Sequence, residues 1–167
     1  MVAEPPARTD HVIPAGVVLR TLGEADLQAV GEAYWRTYLN SPNEMTLKDA
    51  TDDVLAAWRG EYGRWLADAS FGAWRDDELV GAILTVTDAP WDDVPSGPFI
   101  IDLFVATHAR RHGIGRALVR AVQAAHQTSI GLRVDDTATE ARVLYASLGF
   151  RAFDEETRPS PRSRRGA

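Results

Sequence analysis

Residues 99–126 join, in order, an apolar strand, a loop with two glycines and an amphipathic helix. Phe99-Ile100-Ile101-Asp102-Leu103-Phe104-Val105-Ala106 is apolar in both phases of a two-residue period, so it reads as a strand covered on both faces. Gly113 and Gly115 follow, and Ile114, Ala117, Leu118, Ala121, Val122 and Ala125 then recur at helical spacing over 114–126. A strand covered on both faces needs a layer on each side of its sheet.

The remaining elements fit round this unit. Val17-Val18-Leu19 reads as a short strand. Leu27, Val30, Tyr34 and Tyr38 mark a helix over 24–39. Val54, Ala57, Trp58, Glu61, Tyr62 and Trp65 mark a second over 47–67, with Ser41-Pro42 between them. The period then drops to two. Residues 70–75 and 79–87 read as strands about an Asp76-Asp77 turn, followed by a loop containing Trp91, Asp92 and Asp93. A strand at 130–134, a helix at 138–148 stopped by Gly149, and a strand at 150–154 complete the chain. The order is β-α-α-β-β-β-α-β-α-β, a mixed α/β sheet. The strands within 70–106 should run antiparallel. Strand 99–106 should reach 130–134 through a right-handed parallel crossover.

The length of 167 residues suits one domain, here 14–156, between a flexible N-terminus at 1–13 and a disordered Arg-rich tail at 157–167. The chain has no cysteine, which removes disulfides, thiolate metal sites and a cysteine nucleophile. No His, Asp and Glu grouping has metal-ligand spacing. The start carries no signal-peptide pattern and there is no membrane-spanning apolar run, so a cytoplasmic location is expected. The net charge is −6, and the tail holds Arg158, Arg162, Arg164 and Arg165 without an acid, so the body is more acidic still. An acidic body disfavours nucleic acid and favours a cationic ligand.

The loop between strand and helix reads as an anion site. A helix N-terminus exposes unpaired N–H groups, and glycines let the backbone approach a ligand. Arg110, Arg111 and Arg116 add positive charge, and His108 and His112 flank the loop. A Walker loop would need a lysine here, and the only lysine is Lys48. A dinucleotide fingerprint would need a small residue where Leu118 stands, and too little chain follows to build its sheet. The pattern R/Q-x-x-G-x-G/A is met by Arg110, Gly113 and Gly115. Farther on, Ala141-Arg142-Val143-Leu144-Tyr145-Ala146-Ser147-Leu148-Gly149-Phe150 matches A-x-x-L-Y-x-x-x-G-F. Together these two motifs resemble the GNAT (Gcn5-related) N-acetyltransferases, specifically over 99–150 and in element order over 15–98. Thr107 and Ala138 stand where the family often has Pro and Asn.

The resemblance implies an acyl-CoA N-acyltransferase fold in which strands 99–106 and 130–134 splay. It implies acetyl-CoA as co-substrate and no metal. Backbone groups of Leu103, Phe104 and Val105 would pair with the pantetheine arm. The backbone N–H groups of Arg111, His112, Gly113, Ile114, Gly115 and Arg116 would hold the pyrophosphate, with Arg110 beside them in the cofactor site. Tyr145 would protonate the leaving thiolate, although its spacing alone favours a core tyrosine. A carboxylate inside an apolar strand is costly unless paired or solvated, so Asp102 either faces a polar cleft or makes a structural pair, and the resemblance implies a base or an acceptor contact there. Glu61 is a candidate acceptor contact on the aromatic stripe of the second helix. The implied acceptor is the primary amine of a small, cationic molecule. A non-catalytic acyl-CoA sensor or scaffold, and acetylation of protein N-termini or lysines, stay open as alternatives, as does a homodimer.

Overall fold

In the computed structural model, which describes residues 1–4 and 12–153, the elements are β1 (Val2–Ala3), β2 (Val18–Thr21), α1 (Leu27–Tyr38), α2 (Leu47–Arg59), β3 (Arg64–Trp65), β4 (Phe71–Arg75), β5 (Glu78–Thr87), β6 (Phe99–Val105), α3 (Ile114–Ala125), β7 (Ile130–Leu132) and α4 (Thr139–Ser147). The sheet runs β1-β7-β6-β5-β4-β2, with β3 also paired to β5. β4, β5 and β6 form the expected antiparallel meander. Asp76 and Asp77 both have positive φ, 49° and 63°, the backbone twist that suits a tight hairpin turn. β6 and β7 are parallel across α3. Two apolar clusters cover the sheet. Ile114, Leu118, Val119 and Val122 of α3, with Tyr145 and Leu148, pack on one face. Leu27, Val30 and Ala33 of α1, with Val54 of α2, pack on the other. Among the described residues no helix is long and apolar enough to cross a membrane.

Several elements differ from the pattern expected of them. The second helix stops at Arg59 rather than 67. Gly60 closes it in a left-handed conformation (φ 89°), donating its N–H to Ala56 and Ala57. Trp65 therefore lies on β3, and its apolar spacing came from two elements in succession. Part of the N-terminus expected to be loose is ordered. Val2 pairs with Gly131 and Ala3 with Ile130, and the Met1 amine donates to the Leu132 carbonyl at 2.6 Å. β1 thereby covers the outer edge of β7, which would otherwise present unpaired backbone groups. Among the described residues of the strand expected at 150–154, Arg151 forms an isolated bridge to Val2. The Arg-rich tail at 157–167 lies outside the described residues.

α3 and α4 are tied by a buried amide. Gln123 is 1% exposed, and its Nε2 donates to the Leu148 carbonyl at the end of α4 at 3.0 Å. Removing the donor leaves a buried carbonyl unsatisfied, at a cost of about 1–3 kcal/mol. Gln123→Ala is therefore expected to lower the urea midpoint measurably, and an unchanged midpoint would show that the bond contributes nothing.

Two irregularities open the sheet. β6 and β7 pair only at Phe99 with Gly131 and Ile100 with Leu132. β7 ends there, while β6 continues to Val105. On the other side of β6, Leu84 pairs with Asp102 but Thr85 with Ile100, so Ile101 is an extra residue in the ladder. Such a bulge bends a strand and re-aims its side chains. Ile100 packs on the α3 side with Leu103 and Val105, whereas Ile101 and Phe104 pack on the α1–α2 side.

Candidate active site

The fork between β6 and β7 leads into a cleft of about 530 Å³. Leu103, Val105, Arg110, Arg111, Gly113, Ile114, Gly115 and Arg116 line it, as does Tyr145. These are most of the residues expected to hold a cofactor. Two depart from that expectation. The Phe104 side chain is 3% exposed in the core on the opposite face, and alternation along β6 turns its backbone groups toward Ala82 of β5, so neither faces the cleft. His112 is exposed, and its Nδ1 lies 2.7 Å from the Arg110 carbonyl, so the ring supports the loop rather than the cleft. Glu140, Ala141 and Leu144 of α4 form a wall that the sequence reading did not assign.

The cleft carries backbone groups suited to an anion. Arg111 has φ 66° and Gly113 φ 82°, and α3 begins with no side-chain cap. Among the described residues the amides of Arg111 through Arg116 donate to no protein group. Aligned first-turn amides of this kind attract phosphate. Arg110 is folded back, its Nε donating to the Val105 carbonyl at 3.0 Å. That contact shows the Val105 carbonyl turned away from β5, and alternation along the strand turns Leu103 the same way. Arg111 reaches Glu140 across the mouth at 3.3 Å, and Arg116 donates to Ser147 at 3.0 Å. A pyrophosphate with an extended amide-bearing arm matches this cradle of free amides and open strand edge.

Gly113 is the position where this loop most needs glycine. A left-handed non-glycine residue costs about 1–2 kcal/mol, and a loop that relaxes instead loses the aim of its amides. Gly113→Ala is expected to weaken CoA binding about tenfold. Calorimetric titration with CoA measures this, and unchanged affinity would remove the loop from the anion site.

On the other side of β6 lies a smaller pocket of about 160 Å³, lined by Tyr34, Asp53, Ala57, Tyr62, Leu84, Trp91, Ile101 and Asp102. Burial raises the Asp102 carboxyl to about 7. The Tyr34 hydroxyl and the Leu103 amide oppose that shift, and the charge of Asp53 reinforces it. Burial likewise pushes Tyr38 up to about 12, with Asp102 adding to the effect and Arg110 opposing it. Tyr34 is raised further, by burial and by Asp102 and Asp53. Tyr145, 7% exposed and packed on Phe150 with ring centroids 5.5 Å apart, is raised by burial and by Asp102 and Tyr38. Asp102 and Tyr34 thus line the pocket, and Tyr145 lines the cleft.

The structure does not bring Glu61 into this group. It lies beyond the end of α2, exposed, and does not line the pocket. The helix cap rotates the chain there, and the acid that enters from α2 is Asp53, whose Oδ1 accepts the Tyr62 hydroxyl at 2.6 Å. Tyr34, Asp53 and Trp91 line this pocket without having been assigned to a site from the sequence. Tyr34 and Tyr38 were visible only as a helical stripe, which core packing explains equally well.

A larger cavity, about 660 Å³, lies beyond β7 and is lined by Met1, Leu132, Arg133 and Arg142 among others. Its arginines are already engaged, Arg133 with Asp93 and Arg142 with Asp136. It holds neither the free amides nor the raised carboxyl. Among the described residues no group of three His, Asp or Glu is placed to hold a metal ion.

A family model described as an acetyltransferase (GNAT) domain matches residues 67–152. The fold is similar to that of PH1933 from Pyrococcus horikoshii OT3, at TM-score 0.65 and 20% identity over 83% of this chain and 91% of that one. It is similar to the ribosomal-protein-S18-alanine N-acetyltransferase of Escherichia coli, at TM-score 0.61 and 21% identity over 83% and 79%. It is also similar to Naa50 of Arabidopsis thaliana in complex with a bisubstrate analogue, CoA-Ac-MVNAL, at TM-score 0.56 and 20% identity over 84% and 86%. At these identities the likeness is one of fold. A comparison with curated protein sequences finds no match.

Proposed function

The chain belongs to the GNAT acetyltransferase family, and from that premise we propose that it transfers acetyl from acetyl-CoA to the primary amine of a small, cationic molecule, by direct attack in a ternary complex. The observation that carries the reading is Asp102, a carboxyl raised to about 7 that lines the aromatic pocket and acts on the cleft tyrosine, Tyr145.

Acetyl-CoA supplies the thioester. The chain's own groups supply the rest. The Asp102 carboxylate accepts a proton from the bound ammonium, directly or through one water, and a base near neutral strength suits that task. A backbone N–H of the open β6 edge, near Val105, faces the carbonyl oxygen as negative charge develops on it. Tyr145 stays protonated throughout the working pH range, because burial and Asp102 disfavour its phenolate. It therefore has a proton to give to the leaving sulfur, and it regains one from the second proton that the attacking nitrogen sheds as the intermediate collapses. Direct attack fits the lining residues, since neither cleft nor pocket presents a serine, threonine or lysine nucleophile, and the chain has no cysteine.

Small acceptors are favoured over peptides by Trp91. Its ring stacks on Tyr62 with centroids 6.3 Å apart and approaches Phe99 at 5.9 Å, which narrows the pocket where a peptide would need an open groove. Free-thiol release from acetyl-CoA, measured against amines, aminoglycosides, amino acids and peptides, tests the proposal. Turnover is expected with small cationic amines. Turnover confined to peptides would replace this reading with protein acetylation, and CoA binding without turnover on any amine would replace it with a sensor.

A further inference from the structure

Asp53 has no task in the transfer step, yet its carboxylate lines the same pocket as Asp102. The charge of Asp53 acts on Asp102, and both acids act on the Tyr34 hydroxyl. Asp53 uses Oδ1 to accept from Tyr62 and makes no other hydrogen bond among the described residues. No arginine, lysine or histidine forms an ion pair with either acid among the described residues. The guanidinium nearest the aromatic wall, Arg133 over Trp91, is paired with Asp93. The rings of Tyr34, Tyr62 and Trp91 form the rest of the wall.

Two carboxylates drawn partly out of water, without a cation, repel each other and cost stability. A ligand with one positive charge can satisfy only one of them. We infer that Asp53 binds a second positive centre of the acceptor, so that the preferred substrate is a short diamine or a comparably compact dication. Asp102 faces the reacting nitrogen and Asp53 the other. The pocket of about 160 Å³ accommodates a chain of a few carbons between two such ends. For turnover the inference rests on the transfer reaction proposed above; for binding it does not.

The test compares 1,4-diaminobutane with butylamine and 4-amino-1-butanol. Turnover is read by thiol release, and binding by calorimetry on the protein saturated with CoA. The diamine should show a kcat/KM about tenfold or more above both monoamines, a gain of about 1.4 kcal/mol. Asp53→Asn should remove that preference, mainly through KM. Asp53→Glu should retain most of it. Tyr62→Phe, which releases Oδ1 without removing the charge, should keep it too and guards against a merely misfolded Asn variant. Equal kcat/KM for diamine and monoamine, or a preference that survives Asp53→Asn, overturns the inference. Diamine binding that depends on Asp53 but leads to no acetylation sinks the transfer reading and leaves the subsite standing. Absence of both binding and turnover overturns the subsite.

Discussion

Asp102→Asn is expected to reduce kcat/KM by about 10²–10⁴-fold, the usual contribution of a positioned general base. The loss should depend on pH. Asp102 must be ionised to accept a proton, and its folded value is about 7, so the wild-type rate should rise with pH through that value and then level off. The asparagine variant should lack that limb. Stability should move the other way. Because burial raises this carboxyl above its ordinary value, the folded protein holds a proton that the unfolded chain has already released between about pH 4 and pH 7. Stability contributed at this position is therefore intact below about pH 4 and declines as pH rises toward 7. Asn carries no such penalty, so Asp102→Asn should raise the denaturation midpoint at pH 7.5 and leave it nearly unchanged at pH 4. A variant that is both active at neutral pH and no more stable would show that Asp102 is a solvated surface acid without a catalytic task.

Asp102 also shows what could be read from the sequence and what could not. An acid inside an apolar run is conspicuous because few environments tolerate it, and the bulge at Ile101 turned it toward a polar pocket. The glycine loop was equally legible. A left-handed residue and an unobstructed backbone leave a direct trace in residue type, and Gly113 and Gly115 lie where the amides are free. The acceptor side left no such trace. Asp53 sits among Asp49 and Asp52 on a charged helix, and nothing in that pattern shows which acid faces inward. Glu61 is conspicuous because a helix extended past Gly60 would place it on the aromatic stripe. Gly60 instead ends the helix, and the stripe of Trp58, Tyr62 and Trp65 is divided between a helix, a turn and a strand. The pairing of β1 with β7 was also hidden, since two residues are too few to show a period and the edge they cover is distant in sequence.

Tyr145→Phe is the substitution that separates catalysis from packing most cleanly. The ring is held by Phe150 and belongs to the α3–α4 core cluster, and phenylalanine preserves that ring. The Tyr145 hydroxyl makes no hydrogen bond to a protein group among the described residues, so its removal leaves no protein partner orphaned. Stability should change little, by about 1 kcal/mol or less. The rate should not be spared. If the hydroxyl protonates the leaving sulfur, kcat falls about 10²-fold or more while KM for both substrates stays close to wild type, because the interaction exists only as the carbon–sulfur bond breaks. The phenol is raised above its ordinary value, so the wild-type rate should show no alkaline decline from this group up to about pH 9, and the variant should be slower by a similar factor at every pH. A more acidic thiol leaving group should recover part of the lost rate, since it needs the proton less. Full turnover by Tyr145→Phe across that range, or a loss that tracks a lowered melting midpoint, would return Tyr145 to the core and leave the departing thiolate to solvent.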